Sequence, residues 1–177
     1  MTNHPPKPKS QNHLRKITIA KVTLNLGAGK NEDLLKRGLV LLQKLVPEQA
    51  PVKTMTHKRI PGWGLRPGLA IGAKVTVRRN TKEFLKRLLA AKQNMLASSN
   101  FDRSGNVSFG IPEYIDIPGL EYDPDLKILG LEVAVTLERP GFRVKQRRQR
   151  PSFIGKAQRI SQQEAISFIE SLGVQIS

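Results

Sequence analysis

Apolar and polar residues alternate along four stretches of the chain, as they do in β-strands that bury one face. The alternation is strictest from Leu131 to Glu138, where Leu or Val occupies every second position. In the first stretch the alternation changes phase near Ala20, which predicts a β-bulge there. The four predicted strands are residues 14–25, 52–59, 70–79 and 131–138.

Apolar residues at helical spacing predict three helices. Asn31 is expected to cap the first of them, which ends before Pro47. Capping-box spacing precedes the other two, in the pairs Asn80 with Glu83 and Ser161 with Glu164. Strands mixed with helices, rather than strictly alternating with them, indicate an α+β fold, in which a mostly antiparallel sheet has helices packed on one face.

The opposite face of the predicted sheet is expected to be polar. Small hydroxyl side chains allow an RNA backbone to approach a flat surface, and Lys and Arg neutralise its phosphates. An ordinary solvated sheet face carries the same residue types and stays open as an alternative. The residues predicted on this face are Thr18, Thr23, Asn25, Lys53, Thr54, Lys74, Thr76 and Arg78.

Charge narrows the choice between these alternatives. The chain has 30 Lys and Arg against 14 Asp and Glu, a net charge of +16, and a folded domain with this excess usually has a polyanionic partner. No acid lies between Glu48 and Glu83 or between Glu138 and Glu164, whereas acids gather in residues 113–125. Two basic zones of this length indicate two contact surfaces rather than scattered solvated charges.

The 177 residues have the size of one domain. We interpret residues 1–13 as a basic flexible tail and residues 14–177 as a single RNA-binding domain, within which 139–160 form a basic irregular extension near the C-terminus. Residues 143–159 are predicted to be disordered without RNA, because they bury too little apolar surface to offset the entropy of ordering. No stretch is long and apolar enough to span a membrane.

The sequence offers no catalytic, cofactor or metal site. The absence of Cys excludes a disulfide or a thiolate metal site. The turn Gly27-Ala-Gly29-Lys30 lacks the third Gly of a dinucleotide loop, since Glu32 stands there, and Asn31 replaces the Ser or Thr of a phosphate loop. His57 has no nearby acid in the sequence to orient it. We therefore expect neither an enzyme nor a cofactor.

One loop stands out by composition. Trp63, the only Trp, lies between Gly62 and Gly64, and the loop has Arg59 and Arg66 at its ends. Trp63 can stack on a base or ribose, or it can fold back and pack on the sheet; the sequence leaves both open. The loop itself is expected to reach away from the body of the domain.

Five motifs, in this order, resemble the L-five family of large-subunit ribosomal proteins (universal name uL-five), which bind 5S rRNA. They are Val22-Thr-Leu-Asn-Leu-Gly-Ala-Gly29, Ile71-Gly-Ala-Lys-Val-Thr-Val-Arg78, Phe84-Leu-x-Arg87-Leu, Phe101-Asp-x-x-Gly105-Asn-x-Ser-Phe-Gly110 and Glu121-Tyr-Asp123. The segments Arg139–Arg143 and Arg159–Phe168 resemble the archaeal and eukaryotic branch, and the short C-terminal tail favours the archaeal type. The resemblance covers residues 14–176.

The resemblance implies a twisted antiparallel sheet packed on helices and a place in the cytoplasmic ribosome. It implies 5S rRNA, in the central protuberance, as the main partner, with 23S-type rRNA and neighbouring central-protuberance proteins beside it. It further implies that the loop Ile60–Leu69 contacts the P-site tRNA and that the protein joins a bridge to a protein of the small-subunit head. The chain departs from the commonest family sequence at Pro61–Gly64.

On this basis two sets of site residues are predicted. The rRNA-binding set is Asn25, Lys53, Thr54, Lys58, Arg59, Lys74, Thr76, Arg78, Arg143, Lys145, Arg147 and Arg148. The tRNA-contact loop is Ile60, Pro61, Gly62, Trp63, Gly64, Leu65 and Arg66. The alternative is a non-ribosomal protein that binds structured RNA, or an RNA-processing factor.

Overall fold

The computed structural model describes residues 12–177 and confirms the α+β fold. Five strands form one sheet in the order β2-β3-β1-β6-β5, and every neighbouring pair is antiparallel. Most of the predicted tail, residues 1–13, lies outside the described residues. The strands of the sheet are β1 (Thr18–Gly27), β2 (Val52–Met55), β3 (Ala70–Val77), β5 (Val107–Ile111) and β6 (Leu131–Glu138).

Four α-helices accompany the sheet: α1 (Glu32–Leu45), α2 (Thr81–Ala91), α3 (Arg143–Gln146) and α4 (Gln162–Glu170). A second, parallel pair joins β4 (Met95–Leu96) to β7 (Gln175–Ile176) and ties the end of the chain to the segment after α2. This pair was not predicted, because strands of two residues show no alternation. None of the described helices is both long and apolar enough to cross a membrane.

The core lies between the sheet and the helices. The predicted inward residues of β1, among them Val22 and Leu24, are fully buried, and so are Leu41 of α1 and Leu85 of α2. Each such side chain contributes about 1.5–3 kcal/mol when it leaves water. The register of β1 on β6 shifts at Ala20, so the predicted bulge is confirmed. Alternation therefore identified both the buried face and its interruption.

The helix caps test three predictions. The Asn31 side chain accepts two backbone N–H groups of α1, at 3.1 and 3.2 Å, which confirms the first. Ser161 and Glu164 form the complete capping box of α4, which confirms the third. The capping box at Asn80 was wrong. This residue has φ of 49° and makes no side-chain hydrogen bond to α2, since its left-handed backbone does not present the side chain to the helix end.

Candidate nucleic-acid interface

The open face of the sheet is the face turned away from the buried side chains of β1 and β3. Strand register brings its polar residues together in cross-strand pairs. Thr23 lies opposite Thr76, with 3.5 Å between their Oγ1 atoms, and Asn25 lies opposite Lys74. Arg78 is exposed and follows the last residue of β3, two positions beyond Thr76. These predicted residues therefore form one continuous surface.

Lys53 does not belong to this surface, although the sequence analysis placed it there together with Thr54. Lys53 pairs with Ala73, which is buried on the helix side, whereas Thr54 pairs with Gly72. Consecutive strand residues point to opposite faces, so the two side chains cannot share one. The position opposite Lys74 is taken by Val52, an exposed apolar residue. Lys53 is exposed at the edge of the sheet, on the other side.

Lys21 joins the open face, and the sequence analysis missed it. It pairs with Thr136 of β6 immediately after the bulge, and it precedes the inward-facing Val22. The phase change at Ala20 was the signal that could have identified it, because the alternation restarts there. Within residues 12–177, Lys21, Lys74 and Arg78 form no ion pair. Their charges are free to meet phosphates.

The open face is divided by charge. On β6 the corresponding positions include Glu132, and Asn25 donates a hydrogen bond from Nδ2 to Glu132 Oε2 at 3.1 Å. The next outward residue, Ala134, carries no charge, and its partner on β5 is Ser108. A polyanion is therefore attracted to the half formed by β2, β3 and β1, which we call the basic half of the open face.

The loop of residues 56–69 is closed at its base. Thr56 N donates to Leu69 O and Gly68 N donates to Thr56 O, both at 2.8 Å. Strand β2 therefore ends at Met55, four residues before its predicted end, because the chain turns into this closed loop. Lys58 and Arg59 are exposed within the loop, as expected of residues that contact RNA.

Trp63 is 70% exposed, so the alternative in which it packs back on the sheet was wrong. Residues Pro61–Trp63 form one turn of 3-10 helix, and Gly64 follows with φ of 66°, a left-handed conformation that favours Gly. These two features hold the indole away from the domain. Its exposure is what stacking on a base requires.

Residues 57–64 of the loop are all exposed. The Lys30 side chain comes close to the loop tip, since a Cβ placed on Gly64 would lie 3.8 Å from Lys30 Cδ. Leu65 is only 7% exposed, and its backbone pairs with that of Ile60. Leu65 therefore supports the loop from inside, and of the seven predicted tRNA-contact residues it is the one least able to touch another molecule.

The second basic zone begins with a buried residue. Arg139 is 5% exposed; its Nη2 donates to Glu164 Oε1 at 2.7 Å and its Nη1 donates to Arg159 O at 3.2 Å. The Ser161 backbone N–H and the Arg139 guanidinium both hold the pKa of the Glu164 carboxyl below its ordinary value. Arg139 thus joins the end of β6 to the start of α4. It acts in folding and not in RNA contact.

Between these ends, residues 140–158 form a loop, which we call the basic loop. Gln158 Nε2 donates to Pro140 O at 3.2 Å and closes its base. The basic loop was predicted to be irregular throughout. It instead contains α3 and a turn of 3-10 helix at Lys156–Gln158. The disorder of residues 143–159 in the absence of RNA stays a prediction. The predicted rRNA-binding residues Arg143, Lys145, Arg147 and Arg148 are all exposed on it.

Residues 113–125, which we call the acidic segment, contact helix α1. Lys44 of α1 forms a short ion pair with Asp123, and this hydrogen bond lowers the pKa of the Asp123 carboxyl and raises the pKa of the Lys44 ammonium. The Tyr114 hydroxyl accepts the Asp123 N–H at 2.9 Å. One of the chain's few acids is thereby used to hold the segment after β5 against α1.

The basic half of the open face, the loop of residues 56–69 and the basic loop together are typical of an RNA-binding protein with an α+β fold. The family described as "ribosomal L5P family C-terminus" matches residues 70–168. Large ribosomal subunit protein uL5 of Nanoarchaeum equitans is 47% identical over 166 residues, covering 92% of this chain and 97% of its own length. The uL5 of Sulfurisphaera tokodaii is 44% identical over 161 residues, which cover 90% of each chain. The uL5 of Methanosphaera stadtmanae is 41% identical over 160 residues, which cover 90% of this chain and 95% of its own length.

The chain belongs to the uL5 family, in its archaeal form. It is a structural, non-enzymatic constituent of the large ribosomal subunit, in the cytoplasmic ribosome, and it takes part in translation. The predicted resemblance is thereby confirmed. Of the alternatives considered from the sequence, membership favours the ribosomal protein over a non-ribosomal binder or a processing factor.

Proposed function

We propose that this protein binds 5S rRNA in the central protuberance through the basic half of the open face. The observation that carries the proposal is the register of β1 on its neighbours, which sets Lys21 and Lys74 on one surface with the hydroxyls of Thr23 and Thr76. Arg78 is exposed directly after β3. Phosphates can approach the hydroxyls closely, and the cations stand within reach of neighbouring phosphates. Lys58, Arg59 and the basic loop extend the contact, in part to 23S-type rRNA.

The test is a filter-binding titration of the full chain with 5S rRNA over a range of salt concentrations. Replacing Lys21, Lys74 and Arg78 by Ala removes three cations. If each meets a phosphate, the salt dependence of log K becomes shallower by roughly 0.7–0.9 per contact, about two to three in all. The affinity at low salt falls correspondingly.

The matched control replaces three exposed lysines of the helices, Lys36, Lys82 and Lys86, by Ala. This variant has the same net charge as the first. If the open face makes the contact, the control keeps most of the wild-type salt dependence. An equal loss in both variants would show that net charge, and not this surface, attracts the RNA; no affinity of the wild type for 5S rRNA at low salt would remove the proposal.

The same proposal assigns the P-site tRNA contact to the loop of residues 56–69. Trp63 is exposed at its tip, between Arg59 and Arg66, which can neutralise phosphates on either side. Ribosomes that carry Trp63→Ala should release P-site tRNA up to about tenfold faster, within the range that loss of one base stack produces. Ribosomes with Met95→Ala, an exposed apolar residue outside the loop, serve as the control. Unchanged release from the Trp63 variant would contradict the assignment.

The bridge to a protein of the small-subunit head, and contacts to neighbouring central-protuberance proteins, complete the proposal. They are supported by the family resemblance. Cross-linking of assembled ribosomes, followed by identification of the peptides joined to this chain, tests both. A cross-linked small-subunit protein is expected only in joined subunits and not in free large subunits.

A further inference from the structure

Phe153 is 93% exposed, more than any other large apolar side chain among the described residues. It lies in the basic loop, where it forms one wall of a concavity of about 510 Å³. Phe142 and Ile154 line the same concavity, which we call the Phe153 pocket. Single exposed apolar residues are common, but a ring at the edge of a cavity of ligand-binding size is not explained by folding.

Hydrogen bonds tie the chain on both sides of Phe153. Ser152 N donates to Val144 O at 3.2 Å, and Arg159 Nε donates to Ile154 O at 3.4 Å. The first of these bonds joins the two arms of the basic loop next to Phe153, beside Phe142 and Ile154 of the same pocket.

Three cations surround this apolar surface. Arg103, Lys145 and Arg159 line the pocket, and within residues 12–177 none of them forms an ion pair. No acid occurs between Glu138 and Glu164, the stretch that contains Lys145 and Arg159. The pocket thus suits a ligand with a flat apolar part and negative charge next to it.

We infer that the Phe153 pocket binds one unpaired nucleotide of RNA, with its base stacked on Phe153 and its phosphates at Arg103, Lys145 and Arg159. Every base has a flat π surface, and unpaired bases are the parts of structured RNA that can leave the helix. The inference deepens the proposed function, since it rests on RNA being the partner, but it concerns a surface separate from the open face. An acidic peptide with aromatic side chains would offer similar groups, and the test includes it.

The probe is an oligoribonucleotide of ten uridines, which stack weakly on one another, in which one base is replaced by fluorescent 2-aminopurine. The full chain is used in a Trp63→Ala background, so that the exposed indole cannot contribute a second stack. Stacking on Phe153 should quench the fluorescence. Phe153→Ala should weaken binding about 5- to 100-fold and remove the quenching, with no change in salt dependence because no charge is lost.

Two further variants control the result. Phe153→Tyr retains the ring and should retain both affinity and quenching. Tyr122→Ala removes another exposed aromatic, in the acidic segment, and should behave as the parent does. Because the Phe153 side chain is almost wholly exposed, its replacement should leave the unfolding temperature unchanged, which separates loss of the site from loss of the fold.

Binding and quenching that survive in Phe153→Ala would overturn the inference. A second test uses a peptide of alternating Asp and Phe. If the affinity for the peptide depends on Phe153 and the affinity for the oligonucleotide does not, the inference is also overturned, because the partner would then be a protein. The outcome is distinct from that of the 5S rRNA titration: the proposed function fails if the wild type does not bind 5S rRNA, whereas the pocket fails only if Phe153 is dispensable for stacking.

Discussion

Arg139 provides the most direct test of how the basic zones are built. Arg139 is the first residue of a stretch without acids. Its position in that stretch would by itself predict that it contacts RNA. The structure instead buries it against Glu164 and the Arg159 carbonyl. Arg139→Ala should therefore destabilise the fold, whereas Arg143→Ala, four residues away and exposed, should change stability by less than about 0.5 kcal/mol.

The size of the effect follows from the burial of the two partners. The Arg139 side chain keeps 5% of its surface exposed and that of Glu164 keeps 42%, so a carboxylate deprived of its partner can still be hydrated. The full free-energy cost of leaving a buried charge without its partner therefore does not apply to Glu164. What is lost is a charge-assisted hydrogen bond worth about 1.5–3 kcal/mol and the packing of the two methylenes Cγ and Cδ, about 0.8 kcal/mol each.

One feature of the wild type reduces this loss. Arg139 Nε is buried and has no hydrogen-bond partner among the described residues. Removing such an atom regains about 1–3 kcal/mol. The net destabilisation expected for Arg139→Ala is then about 1–3 kcal/mol, which corresponds to a melting temperature lower by roughly 2–12 °C in a chain of this size.

The measurement is chemical and thermal unfolding of the wild type, Arg139→Ala, Arg139→Met and Arg143→Ala. Met retains the apolar volume and has no unpaired nitrogen, so Arg139→Met should lose only about 1 kcal/mol. Stability within 0.5 kcal/mol of the wild type in Arg139→Ala would refute the structural role of Arg139. Equal losses in the Ala and Met variants would show that the hydrogen bonds, and not the packing, account for the whole effect.

Two further predictions concern neighbouring parts of the fold. The pKa of Glu164 is lowered in the folded protein. The ionised Glu164 therefore stabilises the fold above its unfolded pKa, and this contribution is lost as the pH falls through the folded pKa. The difference in unfolding free energy between wild type and Glu164→Gln should be constant above about pH 5 and shrink below it. A Cβ on Gly130 would lie 2.8 Å from Pro112 O, a backbone atom, whereas one on Gly110 meets nothing within 4 Å. Gly130→Ala should thus cost about 1–3 kcal/mol in urea unfolding and Gly110→Ala clearly less.

The parts of the fold that the sequence predicted are those with a repeating pattern. Strands β1, β3 and β6 alternate because one face is buried, and the bulge at Ala20 appears as a break in that alternation. Strands β4 and β7 have two residues each and cannot show a period. Asn80 has the right spacing to Glu83, but the left-handed backbone that prevents capping is set by how the chain leaves β3, which spacing does not reveal.

The candidate site was predictable to a similar extent. Alternation placed Lys74 and Thr76 on the open face correctly, because it depends on neighbours in the sequence. The position of Lys53 was wrong because charge was allowed to override alternation. The burial of Arg139 was not predictable, since its acidic partner lies 25 residues further along the chain. Contacts of that range are set by tertiary packing alone.

The use of the acids explains how a chain of net charge +16 can fold and still present its cations. Within residues 12–177, two ion pairs join segments distant in the sequence, Lys44 with Asp123 and Arg139 with Glu164, and the third, Lys36 with Asp33, is a local pair on α1. The long-range pairs lie at structural junctions, away from the basic half of the open face. The remaining cations of that face repel one another in the free protein, and this repulsion is relieved when phosphates approach. RNA binding should for this reason raise the melting temperature of the whole domain.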